Sequence, residues 1–345
     1  MDCTDPANPH WRARLDCGML HASNTKGGMT MSQQPVQAAD LRKRGKKKWF
    51  KHPMLILFTL PVVIYTFIFS YLPMFGIVIA FKQYRMDLGI FGSPWVGLDN
   101  FKFFFAMPDA WRLVRNTVGY NLVFIVCNTI FPIAIAMMLY EMKSRRAVKA
   151  YQSFMFLPYY LSWVSVAFIG YIFLSFDLGI LNQAIRSMGG QAISFYTAPN
   201  LWVAIIPIVN LWKNLAVNVA IYYSALLGID PAYREAAILE GASRLQIARR
   251  INLPFLIPMV VILNILAVGG IFNSDFGLFY QFTMDNTMLY KTTDVVDTYI
   301  FRALSKLKNY GMSSAAGLLK SVLGFILVVS TNAIVRKVDD ELALY

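Results

Sequence analysis

The chain has 345 residues, 57% hydrophobic and 15% charged, with a formal net charge of +13. A soluble domain carries about 45–50% apolar and about 25% charged residues, and here the apolar excess is gathered into long uncharged blocks. Blocks of that kind set aside a soluble enzyme or a nucleic-acid-binding protein and point to a membrane protein.

Residues 1–50 are polar and mixed in charge, and are read as a disordered basic cytoplasmic tail with no cleavable signal peptide. Met29 and Met31 are alternative starts within it. The three cysteines (Cys3, Cys17, Cys127) give no disulfide framework. All three histidines (His10, His21, His52) precede the first apolar block, so neither a Cys/His metal site nor a histidine-dependent nucleophile set is expected in the spans.

From residue 51 onward the chain reads as one transmembrane domain, 51–345. Apolar blocks run over 54–81, 114–140, 150–176, 199–228, 253–274 and 313–335, each long enough to cross a bilayer. Pro61, Pro73, Pro132, Pro158 and Pro207 fall inside them, which spanning helices tolerate because freed carbonyls are satisfied locally. The expected fold is all-α: a polytopic membrane protein with six transmembrane helices. Lys and Arg set its orientation. The run 42–51 before span one and the segments between spans two and three, between spans four and five, and after span six hold seventeen of them, against ten in the opposite loops. This bias places the N- and C-termini in the cytoplasm, and it explains the basic run at 42–51 without nucleic acid.

The cytoplasmic segment 228–254 differs from a plain connector. Asp230 is a helix N-cap with Pro231 at the first helical position. Gly241 ends that helix, and Ser243 with Gln246 forms a capping box for a second. Ala236, Ala237 and Gly241 leave a small-residue face that fits closely into a groove on another protein. The plain alternative is an amphipathic connector.

The order Glu235-Ala236-Ala237, then Gly241, Ile251 and Leu253-Pro254 resembles the coupling motif of permeases of binding-protein-dependent ABC importers, with every position met. The resemblance implies the type I importer permease fold and a loop that docks on a cytoplasmic ATPase dimer. In it Glu235 contacts the ATPase, while Ala236, Ala237 and Gly241 permit close approach. It also implies a second, homologous permease subunit, an extracytoplasmic solute-binding protein and a bacterial cytoplasmic-membrane location. This chain would bind no cofactor, with ATP and Mg held by the partner ATPase. No G-x-x-x-x-G-K-[ST] loop occurs here, in keeping with that division.

The segment Gly92-Ser93-Pro94-Trp95-Val96-Gly97-Leu98-Asp99-Asn100-Phe101, with Asn116-Thr117 beyond it, resembles the first outer loop of sugar-import permeases. Together with Tyr71-Leu72-Pro73-Met74-Phe75-Gly76 upstream it is similar to the maltose-permease-like branch that takes up oligosaccharides from polysaccharide breakdown.

Polar groups inside spans are candidates for the transport path. In span four, Asn210, Asn214 and Asn218 recur every four residues on one helical face beside Trp212 and Lys213. Two readings stand: amides lining a sugar path, with Trp212, Tyr222 and Tyr223 as stacking surfaces, or amides joining helix to helix. Asn128, Asn264, Asn273 and Asp275 are weaker candidates, and Lys320 is read as a snorkelling residue. A mid-span Lys213 raises the further expectation of an acidic, uronate-containing cargo. The rival from another class is an ion-gradient-driven secondary transporter, which predicts acidic residues deep in the spans; there are none. A membrane-embedded enzyme would need a catalytic constellation that the spans lack.

Overall fold

The computed structural model describes residues 53–106, 108–339 and 343. The expected tail at 1–50, with its cysteines, its histidines and most of the basic run, lies outside them. The described chain is helical almost throughout, with one isolated antiparallel bridge between Lys82 and Trp95.

Among the described residues, five helical stretches are long and apolar enough to cross a membrane: Ile56–Phe81, Ala110–Tyr140, Pro199–Leu227, Arg244–Gly269 and Tyr310–Lys337. They are called here the first, second, fourth, fifth and sixth spans. The expected third span is broken. Arg145–Tyr160 and Trp163–Leu174 meet at 95°, with Pro158 in the last turn of one and Ser162 capping the other by accepting from Ser165 N at 3.1 Å. The bent pair nonetheless makes one return crossing. Tyr120 and Phe124 share a core with Trp202 and Ile206, while Ile133 and Leu139 share another with Val219 and Leu226. The second and fourth spans therefore run in the same direction, and the chain between them must cross back. Six crossings follow.

Proline shapes the helices locally. Wide π turns occupy Phe67–Tyr71 and Ala248–Asn252, each ending just before a proline, Pro73 and Pro254. A proline cannot donate to the carbonyl four residues back and its ring crowds it; a widened turn accommodates both without ending the helix. Consequently the second loop helix runs unbroken from Arg244 into the fifth span.

The fifth and sixth spans touch through glycine. A Cβ on Gly269 would stand 2.1 Å from Val328 Cγ2, and one on Gly324 would stand 2.7 Å from the Gly269 carbonyl oxygen. Small residues let backbones approach this closely in membranes.

At the end away from 228–254, polar staples fix the connecting segments. Asn100 Nδ2 donates to the carbonyls of Ala80 and Lys82 at 2.9 and 3.0 Å. Lys82, 3% exposed, donates to the carbonyls of Ile90 and Phe91 and lies 5.0 Å from the Trp95 ring centre. Asn116 donates to the carbonyls of Lys291 and Asp294, and Thr117 Oγ1 accepts from Val296 N at 3.0 Å. The sugar-permease-like residues of this loop thus have a physical task, which is to hold the loops between spans.

Candidate functional site

The loop carries the caps its sequence specifies. Asp230 accepts from Ala232 N at 2.9 Å at the start of Pro231–Leu239. That helix closes with Gly241 at φ +79°, where Gly241 N donates to Ile238 O and Ala242 N to Ala237 O, the paired bonds of a Schellman ending. Ser243 and Gln246 complete the capping box, with Ser243 N donating to Gln246 Oε1 at 2.7 Å. With its ends satisfied, the helix presents its sides. Glu235 and Ala236 are exposed, as are the apolar Leu239, Ile238 and Leu245.

Ala237, Gly241 and Ile251 come together around a recess of about 380 Å³ that Glu240, Gln246 and Arg250 also line. Ile251 reaches that recess from the π turn, and Leu253 and Pro254 begin the following helix.

Two contacts hold the loop helix to the spans. Arg234 Nη2 pairs with Glu141 Oε2 at 2.8 Å, and its guanidinium lies 5.5 Å from the Tyr140 ring centre. Tyr233 packs on Phe255 with centroids 5.4 Å apart. Nothing in the spacing of the motif announces the first of these; the charge at the end of the second span, Glu141, was the available signal.

Within the spans, Asn210 and Asn218 line a cleft of about 370 Å³ together with Asn121, Asn128, Tyr222 and Asn264. Asn128 Nδ2 donates to Asn210 Oδ1 at 3.0 Å, and Thr129 Oγ1 donates to Asn264 Oδ1 at 3.2 Å. The Asn128 Oδ1 atom is buried with no hydrogen-bond partner, an acceptor that calls for a ligand or partner group. Among the described residues no lysine or arginine lines this cleft. Asn121 and Thr129, on the face of the second span that holds Asn128, are lining residues absent from the sequence-based candidates, although the spacing of Asn128 and Thr129 at seven and eight residues from Asn121 was legible.

The other stripe residues go elsewhere. Asn214 donates back to its own helix at Asn210 O, 3.1 Å. Trp212 is 41% exposed and lies off the cleft lining, whereas Tyr222 is buried on it. Lys213 is 7% exposed, and Nζ donates to the carbonyls of Pro158, Tyr159 and Leu161 at 3.2, 3.1 and 2.5 Å. It caps the helix that ends at the 95° bend, a place where a cation is favourable, with the Trp163 ring centre 5.0 Å away.

Asp275 accepts from Gly277 N at 2.8 Å and caps the turn Gly277–Gln281, while Asn273 offers its carbonyl to Asn121 Nδ2. Lys320 does not snorkel: it forms an ion pair with Asp297, which also accepts from Ser274 N. Among the described residues no group of His, Cys, Asp and Glu could hold a metal ion.

Residues 120–340 match the family of binding-protein-dependent transport system inner membrane components. The chain belongs to that family. It is a permease subunit of an ABC importer, a multi-pass protein of the inner membrane and a transport component. The permease is 34% identical over 296 residues to protein LplB of Bacillus subtilis, covering 86% of this chain and 91% of that one. It is 33% identical over 303 residues to the polygalacturonan/rhamnogalacturonan transport system permease YteP of the same organism, covering 87% and 93%. The crystal structure of a bacterial ABC transporter for import of the acidic polysaccharide alginate superposes with a TM-score of 0.75 at 30% identity, over 83% of this chain and 96% of that one. A bacterial alginate transporter in complex with its alginate pentasaccharide-bound periplasmic protein matches with a TM-score of 0.74 at 30% identity, over 82% and 94%. The expected permease fold and ATP-driven importer class are therefore established, and the secondary-transporter alternative is not supported.

Proposed function

We propose that this permease forms half of a translocation path for oligosaccharides released from polysaccharides, paired with a homologous second permease and driven by a cytoplasmic ATPase dimer. A solute-binding protein delivers cargo at the end away from residues 228–254. ATP and Mg are held by the ATPase, and both termini of the permease lie on the cytoplasmic side. The exposed helix Pro231–Leu239 docks on the ATPase, with Glu235 in contact and Ala236, Ala237 and Gly241 allowing close approach. Ile251, Leu253 and Pro254 join it to the fifth span. Nucleotide-driven closure then favours one arrangement of the spans and release the other, as alternating access requires.

The observation that carries the cargo reading is the amide-lined cleft with its unpartnered Asn128 Oδ1. Amide groups match the dense donors and acceptors of a sugar, and Tyr222 offers an aromatic face for ring C–H groups. Uronate-containing cargo is favoured by the polygalacturonan and alginate named for the relatives, and asparagine NH₂ groups donate to carboxylates as well as to hydroxyls. Lys213 is not the reader of that charge, since its ammonium is engaged by three carbonyls.

Uptake of labelled uronate oligosaccharides by vesicles holding the whole complex tests this reading, with neutral oligosaccharides of equal length as competitors. Competition by unlabelled uronate oligomers alone is expected. Uptake that ignores both kinds of sugar would remove the cargo assignment.

A further inference from the structure

The cleft and the loop helix are joined in two ways. The first is covalent: the fourth span carries Asn210 and Asn218, ends at Leu227, and passes through Gly228, Ile229 and Asp230 into Pro231–Leu239. The second runs through space. The second span carries Asn121, Asn128 and Thr129 on the same cleft and ends at Tyr140. The next residue, Glu141, pairs with Arg234 at 2.8 Å, one position before Glu235.

We infer that the Glu141–Arg234 pair is a transmission contact: it obliges the second span to follow the loop helix, so that both walls of the cleft move together. This inference rests on the loop helix being the ATPase-docking element. Three features of the pair suit it to the task. The side chains are 20% and 31% exposed, so the attraction is screened less than that of a surface pair. The guanidinium is also held over Tyr140, which makes a two-point grip on the end of the span. And Glu141 binds through Oε2 alone while Oε1 is buried without a partner. The grip is therefore single-pronged and leaves an acceptor that a rotated guanidinium could take up, giving two-pronged geometry in a second arrangement. A long helix is stiff enough to carry displacement from its end to residues three turns away, whereas the glycine-containing connector at 228–230 can flex. Without the pair, loop motion would reach the fourth and fifth spans directly, and the second only through its packing on the fourth.

The test uses the complete transporter in proteoliposomes, with Glu141→Gln, Arg234→Gln and the charge-swapped double variant Glu141→Arg with Arg234→Glu. Three quantities are read: ATPase subunits recovered with the permease, ATP hydrolysis stimulated by the loaded binding protein, and sugar imported per ATP. The single variants should retain the ATPase and hydrolyse ATP, with import per ATP falling on the order of tenfold, while the swap recovers most of it. Unchanged import per ATP in the single variants would overturn the inference. So would a swap no better than the single changes, and so would loss of the ATPase from Glu141→Gln, which would place the pair in assembly. Recovery of the wild-type permease without any ATPase would instead strike the docking reading beneath it.

Discussion

Lys213 donates three hydrogen bonds to carbonyls at the end of Arg145–Tyr160, and this fixes what the residue can do. A helix end leaves carbonyls without partners, and at mid-membrane depth no bulk water replaces them. Lys213→Met should lower the melting transition of the detergent-solubilised complex, with a loss on the order of 3 kcal/mol for charged hydrogen bonds left unmade. Lys213→Gln should leave the preference between uronate and neutral oligosaccharides unchanged, as read by competitive uptake. A preference that vanished with the lysine would return it to the path. Asn128 behaves oppositely. Its side chain lines the cleft, so Asn128→Leu should weaken sugar import by about tenfold, one hydrogen bond's worth, with ATP hydrolysis retained. The i, i+4 stripe in span four was visible in the sequence, yet periodicity reports a shared face and not what the face meets. Asn210 and Asn218 reach the cleft, Asn214 turns back on its own helix, and Lys213 serves a bend that hydropathy alone did not show.

Elements were more legible where local chemistry decides them. The N-cap at Asp230, the left-handed Gly241 and the Ser243–Gln246 box all depend on residues within a few positions of each other, and all three are present. Gly241→Ala places a Cβ residue at φ +79° and should cost about 1 kcal/mol of local helix stability, seen as faster amide exchange across 231–247. The break in the third crossing was less legible, because Pro158 resembles the tolerated prolines at 61, 132 and 207; the difference is Lys213 of another span, which donates to the carbonyls of Pro158, Tyr159 and Leu161 where the helix ends. The glycine contact between the fifth and sixth spans was silent for the same reason, since it joins residues 55 positions apart. Gly269→Ala should destabilise the permease, and Val328→Ala in the same chain should restore part of the loss, because the clash is with Val328 Cγ2 at 2.1 Å. Equal melting of the single and double variants would contradict that packing.

At the scale of the whole molecule, the permease separates an exposed, capped loop at one end from a tightly stapled set of connectors at the other. The stapling includes charge. Asp285, at a turn with φ +47°, is paired with Lys306 at 2.8 Å and Arg302 at 3.5 Å and accepts from Tyr290 at 2.6 Å. Burial pushes its carboxyl up, but the hydrogen bonds from Lys306 and Tyr290 and the neighbouring charges outweigh it and hold it below the usual carboxylate range. A lowered folded-state value gives stability that is complete above the unfolded carboxylate value near 3.9 and lost as pH falls beneath it. Melting of the complex should therefore be insensitive to this group from about pH 5 to 8, and Asp285→Asn should be less stable throughout that range.

The division of labour between the two ends is tested most directly by reconstituting the permease with the proposed partner permease, ATPase and binding protein, and measuring oligosaccharide uptake with and without ATP. Uptake should require ATP and loaded binding protein, and it should vanish in Glu235→Lys or Gly241→Asp while membrane insertion stays intact. Uptake that persists in both variants, or that runs on an ion gradient in the absence of ATP, would contradict the coupling role assigned to residues 228–254.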